Sequence, residues 1–398
     1  MKKKYRGEKP FEFLRHKETN EPFSEEIVRN WYVARAFVLE RLSRVSFAPG
    51  TNGHLHVEIE GDSPLMLSVL RQVALFAHYP NFVEYDRYGH LVCRNRTVIT
   101  LVSNREPEKI VSELKKEENL GNLLDYCKYT VYGNVKNEDS FIDIELEIVN
   151  EPGRAKDYSF CESEVHTFEE QKENKEALFS IDTRKAVYAS RAYELGTVIE
   201  SIPYEDINDA GRYNRALDTF QYKVLQGKKE LTLIKDKWKN DLIAVKNGLS
   251  NIICADSFES RELAIKLQYP DYDKLSSEEQ NALWERDNQA FSVSEHSRWV
   301  VEKLILGFSP LNAEQRNEYE RLFGENRKAF GKQLKSNPSS PAHIDICSNR
   351  ELRRVDPDNK KYDSFLMLAI PMILDTIRKQ DGPKKKQEEK PAQDVKSR

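Results

Sequence analysis

Apolar positions recur at helical spacing from Ser24 to Ser46, where Ile27, Trp31, Ala34, Val38 and Leu42 fall on one side and Ser24 is placed to cap the first turn. The pattern predicts a helix, and APGTNG at 48–53 ends it. The period then changes to two. HLHVEI (His54–Ile59) predicts a short strand, and an apolar helix from Pro64 to Ala77 follows after a tight turn, with proline suited to its first position. A second strand is predicted at Thr97–Ser103, helical structure over 106–126, strands at 128–135 and 141–149, and a strand at Ala177–Asp182 that leads into a helix over 183–195. Strands alternating with helices predict an α/β layer built on a mostly parallel, Rossmann-like sheet.

From about Gly211 strand patterns thin out. Helices are predicted over 213–226, 236–249, 257–267, 276–306 and 360–379, the last with Pro371 inside it, where a kink is expected. The predicted organisation is a helical lead (1–50), a Rossmann-like domain (51–210), a helical connector (211–290), a mainly helical domain (291–378) and a charged tail (379–398). The tail carries seven Lys or Arg against four Asp or Glu, a net of +3, and is expected to be disordered.

Composition narrows the function classes. The 398 residues have a formal net charge of −4, so no global basic field favours nucleic acid or an anionic membrane. Roughly 18 consecutive apolar residues would be needed to cross a bilayer, and no such run is present. The basic start has no apolar stretch after it, so no secretory signal is expected. Five widely spaced cysteines without a C-x-x-C pair argue against a disulfide framework or a zinc site and fit a reducing cytoplasm. His54 and His56 share a strand face, but two imidazoles alone do not fill a metal site, so no metal is expected. No G-x-S-x-G, H-E-x-x-H or P-loop pattern occurs, no catalytic residue is assigned, and a non-enzymatic role is the preferred reading.

The turn after the first predicted strand, EIEGDSPLMLSVL, sits where a dinucleotide fold places G-x-G-x-x-G. Gly61 is present, but Ser63 and Met66 stand at the other two glycine positions. Asp62 would repel a phosphate, and the second strand runs into Ser103, Asn104 and Arg105 where an acidic ribose partner is usual. Gly61 and Ser63 are the candidate cofactor contacts. The preferred reading is a structural layer without cofactor, with NAD as the alternative.

In SEHSRWVVEKLILGF (Ser294–Phe308), His296, Trp299, Val300 and Lys303 share one helical face. An aromatic ring beside basic groups suits a flat, anionic ligand, and it equally suits an ordinary helix with its tryptophan in the core.

This stretch, followed by AHIDICSNREL and KKYDSFLMLAIPMIL, resembles the RyR domain, the repeat named from ryanodine receptors that also occurs in bacterial proteins. The matching positions are His296, Trp299, Lys303, Gly307, Phe308, His343, Leu352, Lys361, Tyr362 and Asp363, within about Ser292 to Leu374. Phe308 stands where a tryptophan is usual, and the connector before Ala342 is longer than typical. Upstream, residues 54–103 resemble the TrkA-N layer that precedes RyR domains in some bacterial proteins, where the glycine pattern is fuller.

The resemblance implies recognition of a small, nucleotide-derived ligand. Trp299 or Phe308 would stack on a base, while His296, Arg298 or Lys303 would meet a phosphate. Gly307 would turn the chain, with His343, Tyr362 and Asp363 completing the set. The expectation is a cytoplasmic ligand-sensing or regulatory protein that passes its state to a protein partner or a second copy. The alternatives are an NAD(P)-dependent or NAD-consuming enzyme on the Rossmann-like layer, and an interaction scaffold using the Trp299 face.

Overall fold

The structure, a computed structural model, describes residues 23–84, 88, 90, 92–116, 120–153, 156–172, 178–179, 181–182, 184–199, 242–337, 340–355 and 359–382, with 194–199, 242–248 and 359–361 described by backbone alone. Helix α1 (Glu25–Leu42) begins where Ser24 accepts the Ile27 N–H, and its apolar side is buried through Trp31, Ala34 and Val38. Strand β1 (His56–Glu60) leads into α2 (Pro64–Phe76), then β2 (Thr97–Val102), α3 (Pro107–Leu114), α4 (Gly121–Tyr126), the hairpin β3 (Lys128–Val131) and β4 (Asn134–Lys136), β5 (Ile144–Val149), β6 (Tyr158–Cys161) and α5 (Glu162–Glu170).

These strands form one six-stranded sheet in the order β4-β3-β5-β2-β1-β6, parallel throughout except for β4 at the edge. The fold class expected from the pattern, a mostly parallel α/β sheet followed by a mainly helical region, is the one observed. The strand order differs from a simple doubly wound sheet because β5 inserts between β2 and β3.

The two sheet faces differ sharply. Val57 and Ile59 are in register with Ile99 and Leu101, and all four are buried with Leu146 and Phe160 in the core. His56, Glu58, Glu60, Thr100, Glu147 and Ser159 point the other way. Parallel sheets usually carry helices on both faces. Here only eight residues, 150–157, separate β5 from β6 in the chain. The Gly153 N–H donates to Glu58 Oε2 at 2.7 Å, and Lys156 pairs with the same fully buried carboxylate.

The helical region comprises α6 (Arg184–Ile199), α7 (Leu242–Asp256), α8 (Phe258–Gln268), α9 (Ser277–Ile305), α10 (Ala313–Arg321), α11 (Gly324–Lys335), α12 (Asn349–Val355) and α13 (Asn359–Asp381). Helix α13 packs on α6 and α9, and α9 also meets α2 and α4. A two-stranded parallel pair, β7 (Ser309–Pro310) with β8 (Ala342–His343), ties the end of α9 to the segment before α12. One apolar cluster runs from Trp31 through the sheet to Ile377.

Several expectations are corrected. Leu178 is helical, Phe179 lies in a turn and Ile181 makes only an isolated bridge, so the strand predicted at Ala177–Asp182 is not formed among the described residues. The last parallel strand is instead Tyr158–Cys161. The polar connector before Ala342 holds α10 and α11, neither with a buried residue. Residues 379–381, assigned to the tail, continue α13, which runs through Pro371. The helix expected at 213–226 and the rest of the tail, 383–398, lie outside the described residues.

Candidate functional site

At the C-terminal end of β1, Gly61 has φ +106°, a conformation that L side chains rarely adopt, and this makes the tight turn possible. The groups around it are engaged with one another. Ser63 Oγ accepts the Met66 N–H at 3.3 Å, capping α2, and donates to Glu162 Oε1 at 2.9 Å. Asp62 accepts from Ser103 Oγ at 3.0 Å and from Arg105 Nε at 2.6 Å. An incoming pyrophosphate would meet two carboxylates, Asp62 and Glu162, at the helix end that would have to hold it.

Helix α9 begins in a capping box, in which Ser276 accepts the Glu279 N–H while Glu279 Oε2 accepts the Ser276 N–H. Its C-terminal half presents two different sides. The inner side carries a chain of buried charges. Glu295 accepts from Arg298 Nη2 and Nε, both at 2.9 Å, and from Arg261 Nη2 of α8 at 2.7 Å. Arg298 Nη1 donates to Glu302 Oε2 at 2.7 Å, and Lys303 Nζ and Ser250 Oγ also donate to Glu302, at 2.7 and 2.8 Å. Glu295, Arg298 and Glu302 are all 0% exposed. Burial alone would raise Glu295, but the guanidiniums of Arg298 and Arg261 together bring it down to about 2.

Asp363 of α13 closes the inner side. Tyr193 Oη reaches both carboxylates, 3.3 Å from Asp363 Oδ1 and 3.4 Å from Glu295 Oε1. Burial and the Glu295 charge push Asp363 well above the usual carboxylate range.

The outer side gathers the aromatic and imidazole groups. Trp299 is half-buried. His296 lies one turn before it with ring centroids 6.1 Å apart and planes at 18°, while the Lys303 ammonium, one turn after, stands 5.3 Å from the indole centroid. His343 meets it edge-on at 4.8 Å, and Lys303 Nζ is also 6.0 Å from the Phe308 ring. Gly307, at φ +84°, ends α9 with the Phe308 N–H on Lys303 O at 2.9 Å and the Gly307 N–H on Leu304 O at 3.0 Å, a Schellman ending. Asn122 of α4 donates to Phe308 O at 2.8 Å, fixing this corner against the sheet.

Both imidazoles are neutral. His296 Nε2 donates to Cys347 O at 3.0 Å, and burial lowers its pKa to about 4. Burial, reinforced by Lys335 and Lys303, holds His343 well below its ordinary value. The Asp345 N–H donates to His343 Nδ1 at 3.2 Å, and the tautomer that accepts it carries the ring proton on Nε2; Asp345 Oδ2 stands 3.3 Å from the same Nδ1. Neither His343 Nε2 nor Trp299 Nε1 has a hydrogen-bond partner among the described residues, and neither is sealed from solvent. Two donors therefore face outward beside the Lys303 ammonium.

The structure brings together His296, Trp299, Lys303, Phe308 and His343, with Gly307 making the turn. It corrects the role expected of Arg298, whose guanidinium is fully buried and bound to Glu295 and Glu302, so it cannot reach a ligand. Asp363 belongs to the inner charge chain, and Tyr362 beside it on α13 is half-buried. Glu295, Glu302, Arg261 and Tyr193 were not singled out from sequence. Their signal was positional: 295, 298 and 302 continue a stripe that starts at Phe291 and ends at Ile305, both fully buried.

Among the described residues no group of three or more His, Cys, Asp or Glu could hold a metal ion, and no helix is long and apolar enough to cross a membrane. No family model, curated protein or solved structure matches the chain.

Proposed function

We propose that the protein is a non-enzymatic, cytoplasmic ligand-sensing or regulatory protein whose RyR-like segment binds a small, acceptor-rich, nucleotide-derived ligand at the exposed edge of Trp299. One observation carries this reading: the Trp299 Nε1 and His343 Nε2 donors stand unpaired beside the Lys303 ammonium. An anionic or carbonyl-bearing edge would satisfy the two donors and meet the ammonium that Glu302 holds beside them, and the neutral imidazole donates without needing a proton from solution. The ligand meets the indole at its Nε1 edge, with the His296 ring and the Lys303 ammonium close by. The RyR-like resemblance supplies the nucleotide class.

Calorimetry with mono-, di- and cyclic nucleotides and ADP-ribose derivatives tests the reading, with Trp299 fluorescence as a second signal. Trp31 and Trp284 are almost fully buried and Trp238 lies outside the described residues, so the difference between the parent and a Trp299→Phe protein isolates the contribution of this site. Removing one donor, as in His343→Ala, should weaken binding about tenfold or more. A folded protein that gives no heat with any of these ligands would overturn the reading. The alternative of a dinucleotide enzyme on the sheet is weaker, because Asp62 and Glu162 crowd the phosphate position.

A further inference from the structure

His296 stands where the outer and inner sides of α9 meet, and each of its ring nitrogens faces an acceptor. Nε2 lies 3.0 Å from Cys347 O, and Nδ1 lies 3.9 Å from Asp363 Oδ2 on α13. That second distance is about 1 Å longer than a hydrogen bond, a gap that a small turn of either side chain closes. A neutral imidazole carries one N–H. With that proton on Nε2, the lone pair of Nδ1 meets a carboxyl oxygen, and two lone pairs oppose each other unless one more proton lies between them.

Asp363 shows the same shortage from its other side. Tyr193 Oη reaches Asp363 Oδ1 at 3.3 Å and Glu295 Oε1 at 3.4 Å, yet a phenol has one proton to give. Glu295 is anionic, held by Arg298 and Arg261. Were Asp363 ionised too, one of two buried carboxylates would go without the hydroxyl. Both contacts of Asp363 therefore call for one proton on the His296–Asp363 pair. Burial keeps it on Asp363, whose hold on a proton is raised while that of His296 is lowered. The charged and titratable groups around the pair are Tyr193 from α6, Arg261 from α8, Glu295 and Arg298 from α9, His343 from β8, and Glu84, which lines a small gap beside His296. Both arginines are bound to Glu295, so the proton has two resting places, Asp363 Oδ2 and His296 Nδ1.

We propose that His296 and Asp363 form a proton dyad that couples the Trp299 edge to the interior: an anion bound at the edge draws one proton from Asp363 Oδ2 to His296 Nδ1. The Oδ2–H bond breaks, its electron pair stays on Asp363, and the Nδ1 lone pair takes the proton, so none is exchanged with solvent. The imidazolium forms beside Trp299, with ring centroids 6.1 Å apart, where a bound anion stabilises it. The new Asp363 carboxylate then faces Glu295 across a single Tyr193 hydroxyl, and their repulsion bears on the packing of α13 against α6 and α9. This coupling rests on the Trp299 edge being a binding site, and it carries occupancy of that edge inward.

Infrared spectroscopy of the full chain reads the proton directly. The ligand-free protein at neutral pH should show a protonated carboxyl C=O band that is missing in Asp363→Asn. Saturation with ADP-ribose, whose pyrophosphate diester does not titrate near neutral pH, should remove that band, and nitrogen NMR should show His296 protonated at Nδ1. Calorimetry in two buffers of different ionisation enthalpy should find no proton exchanged by the parent, whereas Asp363→Asn should take one up from solution. A band absent from the ligand-free parent, or one that persists with ADP-ribose bound, would overturn the dyad. Where ADP-ribose gives no heat, the failure lies with the edge as a binding site, and Lys303→Met decides the dyad by itself. Removing that cation favours the imidazolium, so the ligand-free variant should lose part of the Asp363 band and gain the Nδ1 proton. An unchanged band in the folded variant would sink the coupling.

Discussion

Arg298 Nη1 lies 2.7 Å from Glu302 Oε2, one helical turn along α9, and neither side chain touches solvent. Pairs at this spacing are usually exposed and contribute a few tenths of a kcal/mol. Here the pair is the centre of a chain running from Arg261 through Glu295 to Lys303. Truncating one partner would leave buried charge uncompensated. Arg298→Ala should therefore lose about 3–5 kcal/mol in urea unfolding. A loss under about 1 kcal/mol would mean that the carboxylates rehydrate freely and that the chain is not energetically connected.

Acid should destabilise the protein through its neutral histidines. The pKa of His296 is about 4 in the folded chain against 6.5 ordinarily, so between these values the unfolded chain takes up a proton that the folded one does not. Its contribution is complete above pH 6.5 and is lost as pH falls to 4, amounting to about 3 kcal/mol at the acid end. His343 titrates with the same sign. Unfolding followed from pH 8 to 4 should show this decline, and His296→Gln should remove roughly half of the slope. An unchanged slope in that variant would place the acid sensitivity elsewhere.

Asp363 should behave in the opposite way. Burial and Glu295 raise its pKa, so the folded state favours the protonated carboxyl and pays increasingly for it as pH rises. Asp363→Asn keeps an oxygen for the Tyr193 hydroxyl and removes the titration. The variant should be at least as stable as the parent at pH 7, with its advantage growing toward pH 8. Thermal unfolding at the two pH values checks this, and a variant that is less stable at both would show that the carboxylate is ionised and needed.

The turn after β1 should prove structural. Ser63→Ala removes the cap on the Met66 N–H and should lose about 1 kcal/mol. Titration with a nicotinamide dinucleotide should give no saturable signal. Saturable binding that disappears in Gly61→Val would restore the cofactor reading.

The clearest parts of the sequence were those where local pattern and packing agree. Alternation at His54–Ile59 and the apolar run at Thr97–Ser103 mark β1 and β2 because their inward positions are also core positions. Strand β6 escaped notice because only Phe160 among its four residues is buried, leaving no period to detect. The outer cluster was readable in part: His296, Trp299 and Lys303 are neighbours on one helix, whereas His343 arrives through the β7–β8 pairing, which no local period encodes. The inner chain escaped notice because Glu295, Arg298 and Glu302 have the spacing of a solvated ion-pair ladder. Only their alignment with Phe291 and Ile305 marks them as interior.

The apolar cluster ignores the boundary that composition suggests near Gly211. Trp31, Ile59, Val301 and Ile377 belong to one continuous interior. A chain of this length with two separate cores would melt in two steps; one whose sheet and helices share a single interior should lose both together, with calorimetric and van't Hoff enthalpies in agreement. Whatever is bound along α9 therefore draws on the cooperativity of the entire molecule, and a ligand held at the Trp299 edge should raise one common melting temperature.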